Sequence, residues 1–182
     1  MNADLALVVS DVPGAAALDA AGREGIPTSV VEYSREAGRE AFGDALARAC
    51  RAHDISFVAL AGFMRILPPG FLDHYRDRVL NIHPSLLPSF PGLRAQEQAL
   101  EAGVSVSGCT VHLVDAGVDT GPIVSQVTVP VYADDDEPTL SARILRWEHR
   151  LYPRVISMFA SGRIRVENGR VKISNADQEG VD

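Results

Sequence analysis

Asn81 and His83 stand two residues apart where the apolar run VLNIH, Val79–His83, gives way to the proline-braced loop PSLLPSFPG. Side chains two apart on a strand point to the same face, and Pro84 biases His83 toward an extended backbone. An amide and an imidazole should therefore share one wall. An amide N–H can donate to an oxygen on which negative charge develops, and an imidazole exchanges protons near neutral pH. Asp119, in VDTG, adds a carboxylate able to orient the imidazole or an ordered water. Such a trio suits transfer at a carbonyl-level carbon without a covalent nucleophile. Ser85 and Ser89 lack the G-x-S-x-G context of a serine hydrolase. His112 lies in an alternating strand and is expected to be structural, and His53 and His74 fall on helical or loop surface. No H-E-x-x-H and no closely spaced Cys/His set occurs, so no metal is expected.

The elements that must position these groups can be read from periodicity. Leu5–Val9 reads as a buried strand, Ala15–Glu24 as a helix stopped by Gly25, and Thr28–Val31 as a second strand. Glu36–Arg51 reads as a helix with Ala41, Ala45, Leu46 and Ala49 inward. FVALA, Phe57–Ala61, is almost wholly apolar, as expected of a strand covered on both faces. This alternation indicates an α/β fold with a mainly parallel sheet. Beyond it come a short helix at Pro69–Tyr75, the Val79–His83 strand, a helix at Arg94–Ala102 and strands at Ser105–Val114 and Pro122–Pro130. The turn-rich Asp115–Gly121 bridges the last two. An acidic stretch opens a helix at about Thr139–Ala160, and Ile164–Ile173 reads as two strands around an Asn-Gly turn. Ligands of open α/β sheets sit beyond the carboxyl ends of the parallel strands, which singles out the loops after Ala61 and His83, with Asp115–Gly121 if it folds back.

With 182 residues, 46% hydrophobic and 23% charged, the chain is sized for one domain spanning 1–182, with 174–182 as a flexible tail. A net charge of -7 without a basic block argues against nucleic-acid binding and favours small molecules. Neither a membrane span nor an export signal is visible, so a cytoplasmic setting is the default. Cys50 and Cys109 form no disulfide framework and read as reduced core residues.

Four segments stand in the order and approximate spacing of the folate-dependent phosphoribosylglycinamide formyltransferase family: FVALAGFMRIL from Phe57, NIHPSLLPSFPG from Asn81, VHLVDAGVDTGP from Val111 and WEHRLYP from Trp147. The resemblance runs from about Asp4 to Val171. It implies a doubly wound, mainly parallel α/β sheet of the formyltransferase, Rossmann-like type, N-terminally truncated. The implied activity is transfer of a formyl group from 10-formyltetrahydrofolate, as co-substrate, to the amine of glycinamide ribonucleotide in purine biosynthesis. It further implies that Asn81, His83 and Asp119 are catalytic. Phe63, Met64, Arg65, Ile66 and Leu67 would form the folate wall, and Val114, Asp115, Ala116, Gly117 and Val118 the loop over the pterin. Pro84, Ser85 and Glu148 would bind the nucleotide substrate.

Members of that family begin with a further strand and a glycine-containing phosphate loop, whereas here no such loop occurs before Asp11. Apolar surface and an open strand edge are expected in consequence, and a homodimer is one way to cover them. A formyltetrahydrofolate deformylase is the nearest rival reading, and HPSLLP with Glu148 favours an amine acceptor over water. Methionyl-tRNA formyltransferases differ after SLLP and carry an extra domain. A non-catalytic folate-binding or interaction domain is the rival from another class. A dinucleotide oxidoreductase is disfavoured because no G-x-G-x-x-G follows an initial strand.

Overall fold

A computed structural model describes residues 3–174. Asn175–Asp182, most of the expected tail, lie outside the described residues, while Ser174 is tied by its N–H to the Arg163 carbonyl. The described chain falls into two compact units. One comprises Asp4–Val58 and Arg65–Arg78, the other Ala3, Ala59–Met64 and residues 79–174.

In the first unit, β1 (Val8–Ser10) pairs in parallel with β2 (Thr28–Val30), and α1 (Ala16–Arg23) connects them. Helix α2 (Gly38–Arg51) buries Phe42, Gly43, Leu46, Ala47 and Cys50. Of the residues expected inward, only Leu46 is buried, and Ala41 is exposed. The stripe is rotated because Phe42, Leu46 and Cys50, spaced by four, bring more apolar area out of water than the alanines do. Gly43 lets α3 (Pro69–His74) pack closely, since a Cβ there would lie 2.1 Å from Pro68 Cγ.

The second unit is organised by a sheet in the order β3-β4-β5-β6, formed by Val58–Leu60, Val79–His83, Val106–Leu113 and Ile123–Pro130. β4 with β5 and β5 with β6 pair antiparallel. The parallel pairing of β1 with β2 thus gives way to antiparallel ladders here; the short loop Val114–Pro122 can join β5 to β6 only as a hairpin, and β4 and β5, connected through residues 84–105, are antiparallel as well. β3 was expected to be covered on both faces, yet Ala59 is exposed and its neighbours only half-buried, in keeping with an edge position.

Alternation along β4 and β5 sorts the sheet's two faces. Leu80, Cys109, Val111 and Leu113 pack with Ala99 of α4 (Ala95–Glu101) and with Leu140, Ile144, Leu151, Tyr152 and Val155 of α5 (Glu137–Ala160) in one apolar cluster. Each fully buried Leu, Ile or Val there contributes about 1.5–3 kcal/mol. Asn81, His83, Thr110 and His112 therefore share the opposite face. The core holds the strands while the other face is free for polar chemistry. Tyr152 locks helix to sheet through its hydroxyl, 2.7 Å from the Leu60 carbonyl oxygen and 3.1 Å from that of Leu80.

Asp136 caps α5 by accepting the Thr139 N–H at 2.9 Å, as its acidic start suggested. β7 (Ile164–Glu167) and β8 (Arg170–Ile173) close the unit around Asn168 and Gly169, both at positive φ as an Asn-Gly hairpin turn requires. Before α5, Asp135 forms a two-pronged pair with Arg143, which also lies over the Tyr132 ring. The Arg143 guanidinium, helped by the Tyr132 N–H, holds the Asp135 carboxyl down at about 2. A depressed carboxyl contributes stability that is fully present above its ordinary value and lost as pH falls through the folded one. Asp135→Asn is expected to lower the urea midpoint at neutral pH and to flatten its fall between about pH 4 and pH 2; identical midpoint curves for both proteins would refute this.

No helix among the described residues is long and apolar enough to cross a membrane.

Candidate active site

The polar face of the second unit converges on Asp119. Its Oδ2 accepts the Gly92 N–H at 2.8 Å and lies 3.3 Å from His83 Nδ1, while Oδ1 lies 3.5 Å from His112 Nε2. The other nitrogen of His83, Nε2, is 2.8 Å from the Phe90 carbonyl oxygen. Both nitrogens of this buried ring thus face acceptors, and only the doubly protonated imidazolium donates to both. The carboxylate is the natural counter-charge for that form.

His112, whose strand position reads as structural before catalytic, belongs to the cluster by contact. It stands opposite Asn81 across the β4–β5 ladder, with Nε2 3.1 Å from Asn81 Nδ2 and Nδ1 2.8 Å from the Leu113 carbonyl oxygen. Burial pushes its pKa down, against the opposing pull of the Leu113 carbonyl and Asp119, so the ring is neutral at pH 7. The His112 Nδ1–H donates to the Leu113 carbonyl, leaving Nε2 as an acceptor. Only the NH₂ end of Asn81 satisfies it, which sets the amide's orientation and leaves a second N–H for another acceptor. The signal in the sequence was parity: His112 alternates with the apolar Val111 and Leu113 and so shares the face of its partner Asn81.

The loop carrying Asp119 is shaped by its own residues. Asp115 Oδ1 accepts the Gly117 N–H at 3.0 Å and the Thr120 hydroxyl at 2.7 Å. Glycine is required at 121, where a Cβ would lie 1.9 Å from the Leu113 carbonyl oxygen. These closures turn the chain so that Asp119, at φ +54°, presents its carboxylate to His83. Asp tolerates this left-handed backbone better than most residues.

The other residues singled out by resemblance are placed less uniformly. Val114 is half-buried, and Asp115, Ala116, Gly117 and Val118 form the exposed part of the Asp119 loop. Phe63 and Met64 belong to the same unit, with Met64 strongly exposed. Arg65, Ile66 and Leu67 belong to the other unit. There Arg65 pairs with Asp11 and lies over Tyr33, Ile66 is exposed and Leu67 is buried. Pro84 is half-buried next to His83. Ser85 is fully buried and donates its hydroxyl to the Ser89 carbonyl at 2.6 Å, so its side chain shapes the loop rather than facing a ligand.

Glu148 lies on the inward stripe of α5, four residues after Ile144. Burial pushes its carboxyl up, and no hydrogen bond or ion pair to it occurs among the described residues. A cavity of about 800 Å³ between α5, β6 and β8 is lined by Val124, Leu151, Arg154 and Arg163 among others, and by none of the polar cluster. It marks a different place from the amide, imidazole and carboxylate. Among the described residues no cluster of His, Cys, Asp and Glu could hold a metal ion.

Residues 1–156 match the family model described as Formyl transferase. The chain belongs to the formyl transferase family. Within the family it is similar to the Drosophila melanogaster trifunctional purine biosynthetic protein adenosine-3, at 48% identity over 162 residues, 89% of this chain. It spans only 12% of that relative's length. It is 45% identical to the Escherichia coli phosphoribosylglycinamide formyltransferase over 159 residues, 87% of this chain and 75% of the relative. Among solved structures, glycinamide ribonucleotide transformylase 1 from Symbiobacterium toebii matches with a TM-score of 0.90 and 48% identity, covering 93% of this chain and 80% of that one. A formyltetrahydrofolate deformylase from Pseudomonas syringae shares the fold at a TM-score of 0.87 but only 28% identity, over 94% of this chain and 57% of that one. The α/β architecture is thus that of a formyltransferase.

Proposed function

We propose that this chain transfers the formyl group of 10-formyltetrahydrofolate to the primary amine of glycinamide ribonucleotide, the reaction implied by its relatives' names. The observation that supports the reading is the convergence of Asn81, His83 and Asp119 on one face, with no activated nucleophile among them.

On this reading the unprotonated amine attacks the formyl carbon, and as the new C–N bond forms the carbonyl electrons move to oxygen. The second N–H of Asn81 donates to that oxyanion, and the imidazolium of His83, balanced by Asp119, supplies positive potential. The amine proton travels through water near Asp119 to the folate nitrogen, whose bond to the formyl carbon breaks as the carbonyl re-forms. We assign the folate side to Phe63, Met64 and the exposed loop Val114–Val118, and Pro84 to the glycinamide end.

Glu148 is assigned to hydroxyl groups of the nucleotide substrate. A half-buried carboxylate without a partner is costly unless donors reach it, and ribose hydroxyls are such donors. Glu148→Gln is expected to raise KM for glycinamide ribonucleotide by roughly ten- to a hundredfold, the worth of one or two hydrogen bonds to a charged group, with little change in KM for the folate. Steady-state titration of each substrate checks this, and an unchanged nucleotide KM would remove Glu148 from the site.

The direct test is formation of formylglycinamide ribonucleotide from the two substrates. Formate release without the amine would instead indicate a deformylase, and tight folate binding with neither product a binding domain. Both partners on this reading are small molecules. A homodimer is proposed only as a cover for the open edge of β3, and light scattering that returns a monomer removes it.

A further inference from the structure

The two groups that orient His83 and Asp119 from outside the pair, the Phe90 carbonyl and the Gly92 N–H, lie on the far arm of the Pro84–Gly92 loop. Phe90 has φ +55°, a region that a non-glycine residue rarely adopts, while glycine at 92 takes its φ of +78° freely, so the backbone at Phe90 is not held by ordinary local preference. It is held by Gln98, whose Nε2 donates to the Pro91 carbonyl at 3.1 Å, and by a chain of hydrogen bonds that starts on β5. The fully buried Thr110 hydroxyl donates to the Ser85 carbonyl at 2.7 Å, accepts the Leu87 N–H at 3.1 Å and accepts Gln126 Nε2 at 2.9 Å. Gln126 Nε2 also reaches the Leu87 carbonyl at 2.9 Å. Ser85 then ties the near arm to the far arm through its hydroxyl on the Ser89 carbonyl, one residue before Phe90.

Register explains why Thr110 can do this. His83 pairs with Thr110, and Thr110 pairs with Gln126, so the three form a single row across β4, β5 and β6. Thr110 uses one donor and both acceptor positions, the full capacity of a hydroxyl. Valine has nearly the same shape and none of these bonds.

We propose that Thr110, backed by Gln126, is a positioning residue for the reaction: it sets the form of the loop whose Phe90 carbonyl and Gly92 amide aim His83 and Asp119. The proposal rests on the reading of the cluster as a formyl-transfer site. Thr110→Val is expected to lower kcat by roughly ten- to a hundredfold, because a shift of about 1 Å in a catalytic group can cost that much. KM for both substrates should stay within about threefold, and Thr110→Ser, which keeps the hydroxyl, should recover most of the rate. In ¹H–¹⁵N correlation spectra of the imidazoles, the His83 ring signals should move in Thr110→Val while those of His53, His74 and His149 stay.

A purely structural role would lower the thermal midpoint but leave kcat per folded molecule and the His83 signals unchanged, and that result overturns the proposal. Should Thr110→Val fail to fold, Gln126→Leu, at an exposed position, removes two of the bonds without emptying the core. It should move the His83 signals in the same direction to a lesser extent, and an unmoved His83 overturns the proposal equally. If the native chain transfers no formyl group, the functional reading fails by itself, and the ring spectra still decide the positioning role.

Discussion

Replacing Asn81 by alanine is expected to depress kcat by roughly two to three decades, equivalent to about 2.7–4 kcal/mol of transition-state stabilisation, while KM for either substrate changes little. The size follows from what the amide offers. One N–H is committed to His112 Nε2 at 3.1 Å, and because His112 is kept neutral by burial, with its proton toward Leu113, the amide cannot turn its oxygen inward without facing a lone pair. Its second N–H is thereby preorganised, and a preorganised donor aimed at developing charge gains most in the transition state. Asn81→Asp provides a sharper form of the same test. It keeps the volume but replaces the donor by an acceptor and adds negative charge where an oxyanion must form, so turnover should fall at least as far. Steady-state kinetics on both variants, with circular dichroism to confirm folding, measure the effect. Native turnover in Asn81→Ala would mean that the amide only caps the end of β4.

Much of the architecture was legible because it follows from local pattern. Alternation placed β4, β5 and β6, the acidic start placed α5, and the Asn-Gly pair placed the last hairpin. Failures came where a partner decides the outcome. The inner face of α2 could not be fixed from alanines alone, because which stripe is buried depends on what Phe42, Leu46 and Cys50 pack against. β3 has the composition of a central strand, but composition does not say how many neighbours a strand has. In the site, Asn81, His83 and Asp119 stood out because an amide, an imidazole and a carboxylate are chemically conspicuous near strand ends. His112 and Thr110 did not, since one reads as a core histidine and the other as an ordinary strand threonine. Their roles depend on the β4–β5 register, which sets Asn81 against His112 and His83 against Thr110. Ser85 shows the converse, a residue conspicuous by its place in the motif whose hydroxyl is consumed inside the loop.

Asp119→Asn isolates charge from shape. Asparagine tolerates the left-handed backbone found at position 119, and its amide oxygen can still accept the Gly92 N–H, so the loop should keep its form. What is lost is the negative charge 3.3 Å from His83 Nδ1, on a carboxylate that also lies 3.5 Å from His112 Nε2. On the proposed mechanism a protonated His83 would then lack its counter-ion, and the water that would carry the amine proton would lack a basic group to hand it on. The two losses act in the same step, so kcat is expected to fall by roughly 10²–10⁴-fold, the range of general acid–base contributions, with the thermal midpoint little changed. Turnover and thermal unfolding measured on one preparation separate the outcomes. A large fall in kcat at native stability assigns the carboxylate to the chemistry. Native kcat would reduce Asp119 to a loop former whose charge the reaction does not use, and formyl transfer would then have to rest on Asn81 and His83 alone.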